Sequence, residues 1–70
     1  TYRFSQSVTN STTSDVTYVL KDTAGKTLRT WKVGAGKTET LSVESIQTSS
    51  GTLSWSGGAS GSTAVSFAKQ

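Results

Sequence analysis

No cysteine is present, so no disulfide can staple this chain, and the absence of histidine and methionine removes the usual nitrogen and sulfur ligands of a metal site. Proline is missing too, and charged residues make up only 16%, a balance unlike that of a typical cytosolic domain. No apolar run approaches the ~18–20 residues that cross a bilayer as a helix, and no signal-like segment precedes Thr1. The first residue is not Met, so the chain is expected to be processed or cut from something larger, or else incomplete. With 70 residues there is room for one core, so a single domain over residues 1–70 is expected; a chain this short buries about 60% of its unfolded surface. Stability must then come from packing and backbone pairing alone, and cores of this size rarely supply more than about 3–5 kcal/mol.

What is abundant is hydroxyl: more than a third of the residues are Ser or Thr. Threonine favours strands for the reason valine does, a branched β-carbon that fits a pleated surface. A threonine-rich polar face therefore indicates exposed strand positions. Low charge with many hydroxyls is a composition associated with secreted and surface-exposed β-proteins, and a secreted or cell-surface location is expected on that basis. The net charge of +3 is modest, yet the cations cluster between Lys21 and Lys37.

Apolar residues alternate with period two in nearly every segment, and none carries them at helical spacing for long enough to make a helix. Tyr2–Thr9 reads as a first strand with Tyr2, Phe4 and Val8 on one face. Asp15–Lys21 places Val16, Tyr18 and Leu20 together, Asp22-Thr23-Ala24-Gly25 turns, and Lys26–Val33 returns. This is a hairpin: Asp22 opens a type I turn by bonding nearby backbone, and Gly25 supplies the positive φ that a short loop of this kind requires. Leu28 is out of phase with Trp31 and Val33, which predicts a bulge near Arg29–Thr30. Lys37–Ile46 resumes with Leu41 and Val43 inward and Ile46 off phase. Thr48–Gly51 reads as a turn, Thr52–Ser56 as a short strand, Ser56–Ser62 as a flexible glycine and serine connection, and Thr63–Lys69 as a closing strand.

Six short strands separated by turn signals predict an all-β fold, a small antiparallel sandwich, with a small barrel as the alternative. The predicted core is Phe4, Val8, Val16, Tyr18, Leu20, Trp31, Val33, Leu41, Val43, Leu53, Trp55, Val65 and Phe67. Val8-Thr9-Asn10, the run Asp15-Val16-Thr17-Tyr18-Val19-Leu20, the Asp22 to Gly25 turn, and Gly36-Lys37-Thr38-Glu39-Thr40-Leu41-Ser42-Val43 together resemble bacterial immunoglobulin-like modules of surface proteins, over about residues 2–46. The cysteine pair, the tyrosine corner and the seventh strand of antibody-type domains are missing from the pattern. The resemblance implies an immunoglobulin-like sandwich serving as spacer, stalk or adhesive unit.

Catalysis is not expected. Without His or Cys the candidate bases reduce to Asp15, Asp22, Glu39 and Glu44, and a Ser or Thr nucleophile would lack an orienting partner. Asp15 and Asp22 stand at turn positions, where bonding backbone is their ordinary role; Glu39 and Glu44 fall on opposite faces of a regular strand. Gly34-Ala35-Gly36-Lys37-Thr38 ends like a phosphate loop, but its glycines are too close together and no helix follows. Asn10-Ser11-Thr12 matches the acceptor pattern for N-glycosylation, a match that a Ser/Thr-rich chain produces easily by accident.

Two sets of residues stand out as binding candidates. Trp31 and Trp55, with Arg29 and Lys32 near Trp31, would form a cationic aromatic strip wherever the indoles face water, suited to a glycan or acidic polymer; the modest charge excess disfavours nucleic acid as a partner. Thr63, Val65 and Phe67 alternate in a segment that follows a glycine tether, which suits strand addition to, or exchange with, another copy. The sequence thus predicts a non-catalytic structural or adhesive module without cofactor or metal, with carbohydrate or polyanion binding and strand-exchanging fibre assembly as the alternatives.

Overall fold

Two-residue alternation becomes seven strands and no helix in the computed structural model, which describes residues 1–70. They are β1 Tyr2–Thr9, β2 Val16–Asp22, β3 Thr27–Val33, β4 Thr38–Ile46, β5 Ser50–Gly57, β6 Gly61–Ser66 and β7 Ala68–Lys69. All pairs are antiparallel and form two sheets, a three-stranded one in the order β4-β1-β7 and a four-stranded one in the order β3-β2-β5-β6. No ladder joins one sheet to the other, so the architecture is an open sandwich and not the barrel alternative. The sixth expected strand is two: Thr63–Lys69 breaks at Phe67, with β6 in the larger sheet and β7 in the smaller.

The β2–β3 hairpin forms as its turn chemistry requires. Asp22 closes it, its N–H donating to the Lys26 carbonyl at 3.0 Å while its Oδ1 accepts from the Ala24 and Lys26 N–H groups, both at 2.9 Å. Gly25 sits at φ 84°, the left-handed conformation that glycine adopts without steric cost.

Two bulges explain the phase breaks. On β3 the register passes from Leu20 against Arg29 to Lys21 against Thr27, leaving Leu28 as the inserted residue, just before the predicted Arg29–Thr30. On β4 it passes from Phe4 against Val43 to Tyr2 against Ile46. Ser45 takes up that insertion at φ 59°, and its N–H donates to Gln70 Oε1 at 2.7 Å. The slip returns Ile46 to the interior at 2% exposure, so the core includes a residue that period two alone leaves out.

The fully buried core is Phe4, Leu20, Val33, Leu41, Ile46, Leu53 and Phe67, with Val16 buried beside it. Val8, Tyr18, Trp31, Val43, Trp55 and Val65, expected in the core, are only half-buried and pack against it. For Tyr18, Trp31, Trp55 and Val65, on the larger sheet, the physical reason is coverage: the smaller sheet has two full strands and a two-residue third, too little to roof four strands. The presumed glycine tether is shorter than expected, because β5 runs through Gly57 and β6 begins at Gly61.

Asn10 is the one buried polar side chain, 2% exposed. Its Nδ2 donates to the Ser14 carbonyl at 2.7 Å and the Val33 carbonyl at 3.0 Å, and its Oδ1 accepts from the Thr12 N–H at 3.0 Å. This amide organises the crossing from β1 in one sheet to β2 in the other.

Candidate functional site

The larger sheet's inner face carries a transverse row of aromatics. Tyr18 on β2 stands opposite Trp31 on β3 and opposite Trp55 on β5, and Trp55 in turn faces Gly61 on β6. The Tyr18 and Trp55 rings lie 6.0 Å apart at 38°, while Trp31 tilts against Phe4 at 6.4 Å. A β-carbon on Gly61 would come within 2.9 Å of Trp55 Cζ2, so the indole lies flat across the glycine. All three aromatics are half-buried. Tyr18, the centre of the row, was read from sequence only as core; its cross-strand position is not visible until both neighbours of β2 are known.

The cationic strip expected around Trp31 is divided. The Arg29 guanidinium carbon lies 6.0 Å from the Trp31 ring centroid, near the outer limit for a cation–π contact. Lys32 points to the opposite face, where its Nζ lies 3.3 Å from Asp15 Oδ2. Asp15 therefore makes an ion pair and not the turn bond expected of it; Asp22 makes the turn bond. With side chains 70% and 51% exposed, the Lys32–Asp15 pair contributes well under 1 kcal/mol.

Thr63 and Val65 lie on β6 opposite Leu53 and Gly51. Phe67 is buried at the crossover, in an edge-to-face contact with Phe4 at 5.9 Å. The acceptor nitrogen of the pattern at Asn10 is not accessible in the folded chain, because the side chain is buried and both amide hydrogens are bonded to the Ser14 and Val33 carbonyls.

The sheet edges differ in a way that depends on which backbone groups point outward. Asn10 bonds toward β4, its N–H donating to the Lys37 carbonyl at 2.9 Å and its carbonyl accepting from the Gly36 N–H at 2.8 Å. Antiparallel ladders alternate, so Val8, Gln6 and Phe4 also turn their N–H and C=O toward β4, and Ser5, Ser7 and Thr9 turn theirs away. On that far side β7 reaches only Tyr2 and Arg3. On β6 the Phe67 N–H donates to the Ser49 carbonyl at 2.9 Å. The same alternation aims Val65, Thr63 and Gly61 at β5, and leaves Ser62, Ala64 and Ser66 facing outward. Of these outward groups only the Ala64 carbonyl meets a side chain, the Thr63 hydroxyl at 3.4 Å.

The free lengths of β1 and β6 carry no charge and no bulge, whereas β3 and β4 carry both, with Arg29 and Lys32 on one and Glu39 and Glu44 on the other. Charges and bulges are the usual means by which an exposed edge is kept from pairing. One side of the sandwich is thus guarded and the other bare. The residues that define the bare side, Ser5, Ser7, Thr9, Ser62, Ala64 and Ser66, were missed from sequence; the signal available was the stretch of uncharged residues in the first and last strands.

Comparison with known proteins returns no matching family, no matching curated protein and no matching solved structure.

Proposed function

We propose that this chain is a non-catalytic structural or adhesive module of a secreted or cell-surface protein, one that engages partners by strand pairing along its bare side. The observation that carries this reading is the contrast between edges, guarded on β3 and β4 and unguarded on β1 and β6. Main-chain pairing supplies affinity in such an interaction, and alternating side chains supply selectivity.

Selection from a library of displayed peptides tests it. The expected winners are uncharged, alternating sequences that lose binding to a Ser7→Lys, Ala64→Lys double variant and keep it with Thr30→Lys, Ser42→Lys on the guarded edges. Selected peptides that bind both variants alike, or a library that yields no binder, would overturn the proposal.

Strand exchange between copies is a second reading, favoured because the last strand already divides between two sheets at Phe67 and its final part is paired only with Tyr2 and Arg3. Size-exclusion chromatography after deletion of Thr63–Gln70 decides it: a truncated chain that remains folded and monomeric rules exchange out. Polyanion or carbohydrate binding keeps the support of Arg29 against the half-buried Trp31. It requires heparin retention that falls as salt rises and a shift in tryptophan emission on binding.

A further inference from the structure

The two bare edges belong to one feature. At the lower end of the sandwich the C-terminal strand is zipped to β1: Ala68 stands opposite Arg3, Lys69 opposite Tyr2, and the Gln70 N–H donates to the Thr1 carbonyl at 3.0 Å. Above Phe67 the two part, β6 staying with β5 in the larger sheet and β1 with β4 in the smaller. Continuing the β1–β7 register places Ser66, Ala64 and Ser62 across from Ser5, Ser7 and Thr9, the residues whose N–H and C=O groups are unpaired on each edge. The result is a fork whose prongs present matched rows of donors and acceptors.

We infer that this fork is a slot for one extended strand of another polypeptide, an uncharged segment with apolar side chains at alternate positions, hydrogen-bonded to β1 and β6 at once. The inference rests on the proposed edge-pairing function and specifies its site and ligand. Continuity supports it: β6 and β7 are separated only by Phe67 and β7 already pairs with β1, so the two edges meet at Phe67 and open apart beyond it. Charge supports it as well, since no ionisable residue lies in Phe4–Thr9 or Gly61–Ser66.

The interior lining is also incomplete there. Gln6 and Thr63 are exposed although their strand phase turns them inward, and Val8, Trp55 and Val65 are half-covered. An inserted strand would lay its alternate apolar side chains over these. The existing β1–β7 ladder is the start of the pairing the insertion would continue.

A tethered probe tests the slot. The full chain is extended after Gln70 by a flexible Gly/Ser linker and a Thr-Val-Thr-Val-Thr-Val-Thr segment, so that the probe acts at high effective concentration. A matched control replaces the valines by lysine and leaves the module itself unchanged. Amide hydrogen exchange is followed residue by residue. The expected result is at least tenfold slower exchange at Ser5, Ser7 and Thr9 and also at Ser62, Ala64 and Ser66, in the valine fusion and not in the control. Protection along one edge only would overturn the slot while leaving edge pairing intact. Protection at neither edge would remove both. If the chain without the extension dimerises with the same amides protected, a second copy occupies the fork and the assignment to a separate peptide falls.

Discussion

Asn10 shows how much one side chain can hold in a protein this small. Its amide is buried and bonds to the backbone on both sides of the sheet crossing. Asn10→Ala would take the donor from the buried Val33 carbonyl and the acceptor from the Thr12 N–H, at a cost of about 1–3 kcal/mol for a buried polar group stranded, while the Ser14 carbonyl keeps the Thr12 hydroxyl at 2.8 Å. Set against the ~3–5 kcal/mol that a core of this size rarely exceeds, that cost is a large share of the stability, and the urea midpoint read by tryptophan fluorescence should fall sharply. Asn10→Asp should be worse, because it turns carboxylate oxygens toward those carbonyls. Two glycines give a contrast of another kind. A β-carbon at Gly51 would collide with the Lys21 carbonyl oxygen and come within 2.9 Å of Phe67 Cζ, whereas one at Gly25 would meet nothing within 4 Å. Gly25→Ala should therefore cost only the left-handed backbone penalty, about 1–2 kcal/mol. Gly51→Ala should exceed it, by forcing apart β2, β5 and the buried Phe67. Thermal melts of the two variants side by side check the order.

Among the elements, the β4 bulge is the place where sequence periodicity misleads and the structure shows why. Ser45 occupies a left-handed conformation at φ 59° that costs a residue with a β-carbon about 1–2 kcal/mol. Ser45→Gly should recover part of this and raise the denaturation midpoint, with the hydrogen bond from its N–H to Gln70 kept. A lowered midpoint would show that the bulge draws its stability from the serine side chain. The strand interiors and the Asp22–Gly25 hairpin were legible because they depend on neighbours in sequence: alternation, an Asp at the turn entrance, a glycine where φ must be positive. Ile46 was not, since its inward placement follows from a two-against-three register with β1, more than 40 residues away in the chain. The half-exposure of Trp31 and Trp55 was hidden for the same reason. It depends on how much of β3 and β5 the three strands of the smaller sheet cover, and nothing within Trp31–Trp55 records that.

At the scale of the whole molecule, the packing distributes both sets of binding candidates over more than one face or sheet. The strip around Trp31 loses Lys32 to the other face, and Thr63, Val65 and Phe67 belong to a strand shared by two sheets. The fork was illegible because it is a relation between the first strand and the last. Apart from the β2–β3 and β5–β6 hairpins, the pairings join strands far apart in sequence, a topology that folds in milliseconds to seconds. The chain has no proline, so the isomerisation phase of about 10–100 s that slows many refolding reactions has no source. Stopped-flow refolding should be complete without a slow tail, and a tail would point to association instead.

The hydrogen bond between the Gln70 N–H and the Thr1 carbonyl puts both ends of the chain at one pole of the sandwich, on antiparallel neighbours. Tension applied through those two residues would peel β7 from β1 one rung at a time, with no set of bonds loaded together in shear. In a single-molecule pulling experiment the fold should open at low force, which suits a unit that grips a partner laterally better than one strung in line to bear tension.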